Sequence, residues 1–170
     1  MTITTSVVDT NVILIANQQH QNISPQCIET CALALQAIMQ KGRIALDERF
    51  RILLEYQHKT QPKKGRGPGD VFVKWALQNY ANPARCDRIS LVEHAVRGFE
   101  SFPNDPELKK FDKSDRMFVA VSSAHPKKPA IQQAADSKWL AWAPALMRHG
   151  IRVDFLCKKD IERFQKNKVK

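Results

Sequence analysis

Ile3-Thr4-Thr5-Ser6-Val7-Val8-Asp9-Thr10-Asn11-Val12-Ile13-Leu14 is the stretch that indicates the fold most clearly. Its apolar and β-branched first half predicts a buried strand, and residues 11–17 predict a short helix directly behind it. Asp9 stands between these two elements, where the strand emerges at the edge of a sheet. In an open α/β sheet, ligands bind at that edge.

The rest of the chain repeats this alternation of strand and helix. Pro25 begins a helix whose apolar residues recur at helical spacing, and Gly42 ends it. Further helices are predicted over 48–59, 70–80, 113–124, 137–149 and 158–166, a weak helix over 93–102, and strands over 43–47, 88–92, 130–135 and 151–156. Alternating strands and helices predict an α/β fold, in which a parallel sheet is covered by helices.

Length and charge narrow the classes of function. The 170 residues are expected to form a single domain. The formal charge of +10, from 27 Lys and Arg against 17 Asp and Glu, favours a polyanionic partner such as nucleic acid, although solubility alone is a sufficient reason for a basic surface. The positive residues concentrate in one loop and at the C-terminus, whereas several acids lie in or beside apolar elements. An anionic pocket in a basic surround suits an enzyme that cleaves phosphodiesters.

Cysteine usage and hydropathy bear on location. Cys27, Cys31, Cys86 and Cys157 show no C-x-x-C spacing, which argues against a structural zinc site. Cys27 and Cys31, one helical turn apart, are expected to pack as small apolar residues in a reducing compartment. No signal peptide is recognised, and no apolar run approaches the roughly 20 residues of a transmembrane helix. A soluble, cytoplasmic protein with no membrane partner is the expectation.

Residues 61–69 contain two prolines, three glycines and three positive charges, which predicts an exposed, mobile loop. The segment lacks the spacing of a P-loop or of a dinucleotide fingerprint. Two interpretations stay open. Lys63, Lys64 and Arg66 can belong to a basic flap that contacts a nucleic-acid backbone, or to a solvated connector.

Four acids stand out because of where they lie. Asp9, Asp115 and Asp136 follow a strand or begin a helix, and Glu55 lies on a helix. Such junctions share one edge of a parallel sheet, where carboxylates brought together repel unless a cation neutralises them. Oxygen ligands suit Mg²⁺ or Mn²⁺, and such a site indicates a substrate that carries phosphate.

Each acid also has a structural alternative. The alternatives are a turn between Asp9 and Asn11, an ion pair between Glu55 and Arg51, and helix capping by Asp112, Asp115 and Asp136. Taken singly, each alternative is the more common arrangement, so the prediction of a site depends on the four acids acting together.

Four short motifs resemble those of the PIN-domain nucleases. They are Val7-Val8-Asp9-Thr10-Asn11-Val12, then Leu46-Asp47-Glu48 followed by Leu54-Glu55-Tyr56, then Asp112-Lys113-Ser114-Asp115-Arg116-Met117-Phe118-Val119-Ala120-Val121, and Ala135-Asp136-Ser137. They occur in the order of that family and span residues 7–137. One motif alone is weak, whereas four in order with suitable spacing are fairly specific.

The resemblance implies a three-layer α/β/α sandwich with a central parallel sheet of four or five strands. It also implies a ribonuclease that depends on Mg²⁺ or Mn²⁺, similar to the VapC-type toxins of toxin–antitoxin pairs, with an antitoxin protein as partner and a homodimer as assembly. The catalytic and metal-binding roles fall to Asp9, Glu55, Asp115 and Asp136, with Asp112 as the alternative third acid. Supporting roles fall to Thr10 or Asn11, through a side-chain hydrogen bond to the first carboxylate, and to Ser137, through a ligand carboxylate or a metal water.

The mechanism expected of such a site is metal-assisted, in-line hydrolysis of a phosphodiester by water. Lys63, Lys64, Arg66 and Arg116 are the candidates for holding the backbone of an RNA substrate. One alternative is a PIN-like module that binds RNA or protein without cutting. The other is a PIN nuclease that acts on structured DNA, or in RNA processing or defence.

Overall fold

A computed structural model describes residues 3–169, with the side chain of Val169 left aside. The strands are β1 (Thr5–Val8), β2 (Arg43–Asp47), β3 (Cys86–Ile89), β4 (Glu93–His94), β5 (Gly98–Phe99), β6 (Ile131–Gln133) and β7 (Val153–Phe155). The α-helices are α1 (Thr10–Ala16), α2 (Pro25–Lys41), α3 (Arg51–Lys59), α4 (Pro68–Asn79), α5 (Arg116–Ala124), α6 (Lys138–Arg148) and α7 (Lys158–Val169). Single 3₁₀ turns cover Pro106–Leu108 and Lys113–Asp115.

Five strands form a parallel sheet in the order β3-β2-β1-β6-β7, with β1 in the middle. Helices α1 to α4 pack against one another, while α5 packs on β1, β2 and β6. This arrangement confirms the predicted three-layer α/β/α sandwich with a parallel sheet of four or five strands. Because all five strands run in one direction, the residues that follow them meet along one edge.

A buried carboxylate sets the beginning of α3. Asp47 is fully buried and accepts the backbone N–H groups of Arg51 at 3.0 Å and Ile52 at 2.9 Å. Phe50, just before the helix, lies in the left-handed region with φ of +66°. The helix predicted over 48–59 therefore begins at Arg51, because Asp47 satisfies N–H groups that have no partner within the helix.

The segment predicted as a weak helix over 93–102 is instead an antiparallel hairpin of β4 and β5. Gly98 takes a φ of +87°, which the hairpin turn requires and a side chain would oppose. The preceding strand also lies earlier than predicted, at Cys86–Ile89, because it pairs with residues 44–47 of β2. Pairing with the distant β2 decided the bounds of β3, whereas the hairpin pairs residues four to six positions apart and depends on the turn before Gly98.

The glycine- and proline-rich segment is tied to the body of the protein. Asp70 accepts the backbone N–H groups of Gln61 at 2.8 Å and Gly67 at 3.2 Å, and the side chain of Asn17 at 2.9 Å. Helix α4 begins inside the predicted loop, and Gly69 lies so close to α1 that a Cβ atom would stand 2.4 Å from the Ile13 carbonyl oxygen. Exposed side chains remain on this segment, but its backbone is anchored at both ends.

Asp70 provides a test of this anchoring. Replacing Asp70 with Ala removes three hydrogen bonds to a carboxylate, and we expect a loss of about 2 kcal/mol in the free energy of unfolding. Hydrogen exchange should speed up at Gln61 and Gly67, where the backbone N–H groups lose their acceptor. Unchanged exchange at both amides would show that the segment is ordered by other contacts.

The cysteines depart from the prediction. Cys27 forms a disulfide with Cys157, which follows β7, and their Cα atoms lie 5.3 Å apart. The expectation that Cys27 packs as a free thiol is wrong, because the fold brings together two residues 130 positions apart. Cys31 is buried beside this pair with a free thiol, and burial raises its pKa to about 12. Among residues 3–169, no helix combines the length and apolar character needed to cross a membrane.

Candidate metal centre

Asp9 lies at the end of the central strand and caps α1. One carboxylate oxygen accepts the backbone N–H of Asn11 at 3.0 Å. The other oxygen, Oδ1, is buried and has no hydrogen-bond partner among the described residues. Only 5% of the Asp9 surface is exposed. A buried carboxylate oxygen without a donor is costly unless something absent from the chain itself binds it.

Two contacts bring Glu55 to the same place. The hydroxyl of Tyr56, the next residue on α3, donates to the carbonyl oxygen of Val8 on β1. The hydroxyl of Thr10 donates to the Glu55 carboxylate. The alternative pairing of Glu55 with Arg51 is wrong, because Arg51 binds Glu93 at 2.8 Å and lies 3.5 Å from Asp47.

Asn11 joins the first acid to the fourth. Its side-chain oxygen accepts the backbone N–H of Ala135 at 3.0 Å, which places Asp136 beside the beginning of α1. The predicted support of Asp9 by a side chain of Thr10 or Asn11 is therefore wrong in its contact. Thr10 binds Glu55, and Asn11 holds Asp9 through its backbone while its side chain bridges to Ala135.

The two remaining acids lie beside Asp112. Asp112, Asp115 and Asp136 can each offer a carboxylate oxygen such that all three oxygens lie within 4.8 Å of one another. Asp136 also accepts the backbone N–H of Lys138 at 3.1 Å, as its capping alternative predicted. Asp112 makes no capping hydrogen bond, and its carboxylate pairs with the Lys138 ammonium group.

The electrostatics of the group follow from this crowding. Burial raises the pKa of Asp9 well above its usual value, and the negative charges of Asp115, Asp136 and Glu55 raise it further. Burial, followed by the charges of Asp136, Glu55 and Asp112, raises the pKa of Asp115 from 3.8 to about 6. Both acids therefore resist ionisation in the absence of a neighbouring positive charge.

These residues fit a divalent cation. The donors are carboxylate oxygens, which Mg²⁺ and Mn²⁺ prefer, and a cation would offset both the burial and the mutual repulsion that raise the pKa values of Asp9 and Asp115. A cation would also satisfy the unpartnered Oδ1 of Asp9. Of the four acids predicted from the sequence, Asp115 and Asp136 lie with Asp112 in a group whose carboxylate oxygens are within 4.8 Å of one another. Asp9 and Glu55 are outside that group but lie close enough for the charges of Glu55, Asp115 and Asp136 to raise the pKa of Asp9.

The residues predicted to support the site or to bind nucleic acid do not all lie near the acids. Ser137 lies at this edge, where its hydroxyl oxygen accepts from the Lys168 ammonium group at 2.8 Å. Lys63, Lys64 and Arg66 are exposed, but their segment is anchored to Asn17, at the end of α1 remote from Asp9. Seven helical residues separate the two ends of α1, about 10 Å along the axis.

Arg116 is not available to a nucleic-acid backbone. Its side chain is buried, with 6% of the residue exposed, and it donates to the carbonyl oxygens of Lys109 at 2.9 Å and Arg97 at 3.0 Å. Its guanidinium also lies 4.7 Å from the centre of the Phe102 ring. The prediction that Arg116 binds substrate is therefore wrong, because this side chain ties the hairpin and the 106–111 segment to α5.

We expect replacement of Arg116 with Met to cost about 2–3 kcal/mol in the free energy of unfolding, because the partly buried carbonyl oxygens of Arg97 and Lys109 lose a charged donor. Urea denaturation measures the loss. RNA binding per folded molecule should stay within twofold of the parent. If the variant is as stable as the parent but binds RNA more weakly, Arg116 contacts the substrate after all.

Two positively charged side chains at the site were not predicted from the sequence. Lys138 pairs with Asp112, and Lys168 reaches Ser137 from the C-terminal helix. Lys138 lies two residues after Asp136, so its position near the acids could have been predicted from the sequence. The position of Lys168 could not have been predicted in this way, because only the packing of α7 brings it to this edge.

Comparisons with protein-family models, with curated proteins and with solved structures each find no match to this chain. The function is therefore inferred from the residues of the site and from the resemblance of the four motifs.

Proposed function

We propose that this chain is a metal-dependent endoribonuclease related to the PIN-domain nucleases. The observation that carries the proposal is the meeting of Asp9, Glu55, Asp115 and Asp136 at the carboxyl edge of a parallel sheet, with a buried oxygen of Asp9 left unpartnered. Carboxylates arranged in this way suit a cation and a substrate that carries phosphate.

The four acids would hold Mg²⁺ or Mn²⁺, and Asp112 lies close enough to Asp115 and Asp136 to contribute a ligand oxygen beside them. A cation bound there lowers the pKa of water and offsets negative charge on a phosphodiester. Thr10 orients Glu55 through its hydroxyl, and Asn11 fixes Asp9 and the Ala135 backbone together. These contacts hold the carboxylates in place before a substrate arrives.

Positive side chains around the acids support an RNA substrate. Lys138 and Lys168 lie on the Asp136 side, and the exposed Lys59 and Lys113 lie on the Glu55 side. Such a surround attracts a phosphate backbone to a pocket that is itself negative. The toxin of a toxin–antitoxin pair, acting as a homodimer, is the setting that we propose from the motif resemblance.

The test uses a pool of single-stranded and structured RNA and a DNA pool of the same sequences, incubated with the purified protein in Mg²⁺, Mn²⁺ or EDTA. We expect RNA cleavage in either metal and none in EDTA. RNA that is bound but never cut in either metal would indicate a binding module instead. Cleavage of the DNA pool alone would indicate a nuclease for structured DNA.

A further inference from the structure

A cleft of about 460 Å³ opens directly beside Glu55. Its apolar lining comes from three elements: Leu54 on α3, Phe99 on β5 and Met117 on α5. Leu54 is 47% exposed, so much of its apolar side chain is open to a ligand in the cleft. Because Glu55 belongs both to this lining and to the acid group, anything seated in the cleft lies next to the acids.

The rim of the cleft carries positive charge. Lys59 and Lys113, from different elements, are both exposed in its lining, and His58 lies next to Lys59 in the chain. Arg51 places its guanidinium 5.3 Å from the centre of the Phe99 ring and so holds this aromatic side chain at the wall. The cleft thus combines apolar and aromatic walls with cations at its mouth.

We propose that this cleft receives a nucleobase of single-stranded RNA next to the scissile phosphate, an assignment that rests on the proposed function. Bases stack on aromatic and apolar side chains, and lysines bind the flanking phosphates. The volume lies within the range of pockets that hold small organic ligands. A base in a duplex is stacked and paired, so it cannot enter the cleft without being displaced. The substrate class is therefore an unpaired RNA segment.

The test measures binding by fluorescence anisotropy with a labelled, mixed-sequence 12-nucleotide RNA, as a single strand and as a duplex. The Asp9→Asn variant in Mg²⁺ serves as the parent, so that cleavage does not deplete the probe. We expect the single strand to bind more tightly than the duplex. Adding Leu54→Ala or Phe99→Ala should weaken binding of the single strand about tenfold, because each removes part of the wall that the base would contact.

Val96→Ala is the matched control. Val96 lies in the same hairpin as Phe99, is 79% exposed and is outside the cleft. It should bind the single strand as the parent does. Leu54→Ala keeps the test valid if Phe99→Ala fails to fold, because the exposed Leu54 contributes little to the core.

The outcomes separate this inference from the proposed function. Cleft variants that bind as tightly as the parent, or equal binding of single strand and duplex, overturn the inference even if the wild-type protein cuts RNA. Weakened binding by both cleft variants supports the inference even if the wild-type protein never cuts, in which case only the nuclease proposal fails. A parent that binds no RNA overturns the inference as well.

Discussion

Replacing Asp9 with Asn is expected to slow RNA cleavage in Mg²⁺ by roughly 10²–10³-fold, the scale seen when one stabilising group is removed from a preorganised site. Asn is nearly isosteric, so it preserves the cap on α1 while it removes the charge. The buried Asp9 carboxylate is the acid whose free oxygen most needs a cation. Single-turnover cleavage of a labelled RNA measures the loss.

The same substitution should stabilise the metal-free protein. Burial and three neighbouring carboxylates raise the pKa of Asp9, so its ionised form opposes folding at neutral pH. Relief of about 1 kcal/mol would raise the melting temperature by about 2–4 °C. Asp154→Asn, at a half-exposed position on β7, is the control and should leave cleavage unchanged. An Asp9→Asn variant that melts earlier and cuts as fast as the parent would mark Asp9 as a structural cap.

Mg²⁺ is expected to raise the melting temperature of the wild-type protein strongly at pH 8. A ligand at 100 times its Kd stabilises by about 2.7 kcal/mol, which corresponds to roughly 5–10 °C for a domain of this size. Differential scanning calorimetry with and without Mg²⁺ measures the shift. Asp115→Asn should abolish most of it, because a ligand with a formal charge is lost. An equal shift in parent and variant would place the cation elsewhere.

The pH dependence of that shift has a definite sign. The pKa of Asp115 rises from 3.8 to about 6 on folding, so the native state binds more protons between these values. The metal-free protein therefore loses stability as pH rises through this window, and the loss persists above it. Mg²⁺ offsets the loss at pH 8, whereas at pH 5 a proton on Asp115 competes with the cation. The shift in melting temperature should accordingly be smaller at pH 5 than at pH 8.

Much of the fold was predictable because it depends on local patterns. The alternation of apolar strands and amphipathic helices predicted the parallel sheet, and β2 was predicted with its observed bounds, Arg43–Asp47. The edge position of Asp9 and Asp136 followed from the ends of their strands. That Glu55 joins them depends on Tyr56 binding Val8, a contact across 48 positions that spacing does not reveal.

Most of the failures share one physical cause, which is dependence on tertiary contacts. The β4–β5 hairpin is the exception, because its pairs join residues only four to six positions apart. Arg116 follows an acid and has a charged side chain, features of a surface residue, yet it is buried against backbone carbonyl oxygens of distant segments. Cys27 on α2 meets Cys157 because the fold places the residues after β7 beside that helix. Local sequence carries no information about such partners.

The central claim is that the four acids form one catalytic metal centre. The most direct test measures RNA cleavage in Mg²⁺ by a series of variants: Asp9→Asn, Glu55→Gln, Asp115→Asn, Asp136→Asn and the Asp9→Asn/Asp115→Asn double variant. Residues that act as a unit show non-additive losses. We therefore predict that each single variant loses most of the activity and that the double variant loses scarcely more. Losses that multiply, or any single variant that cuts RNA as fast as the parent, would contradict one shared centre.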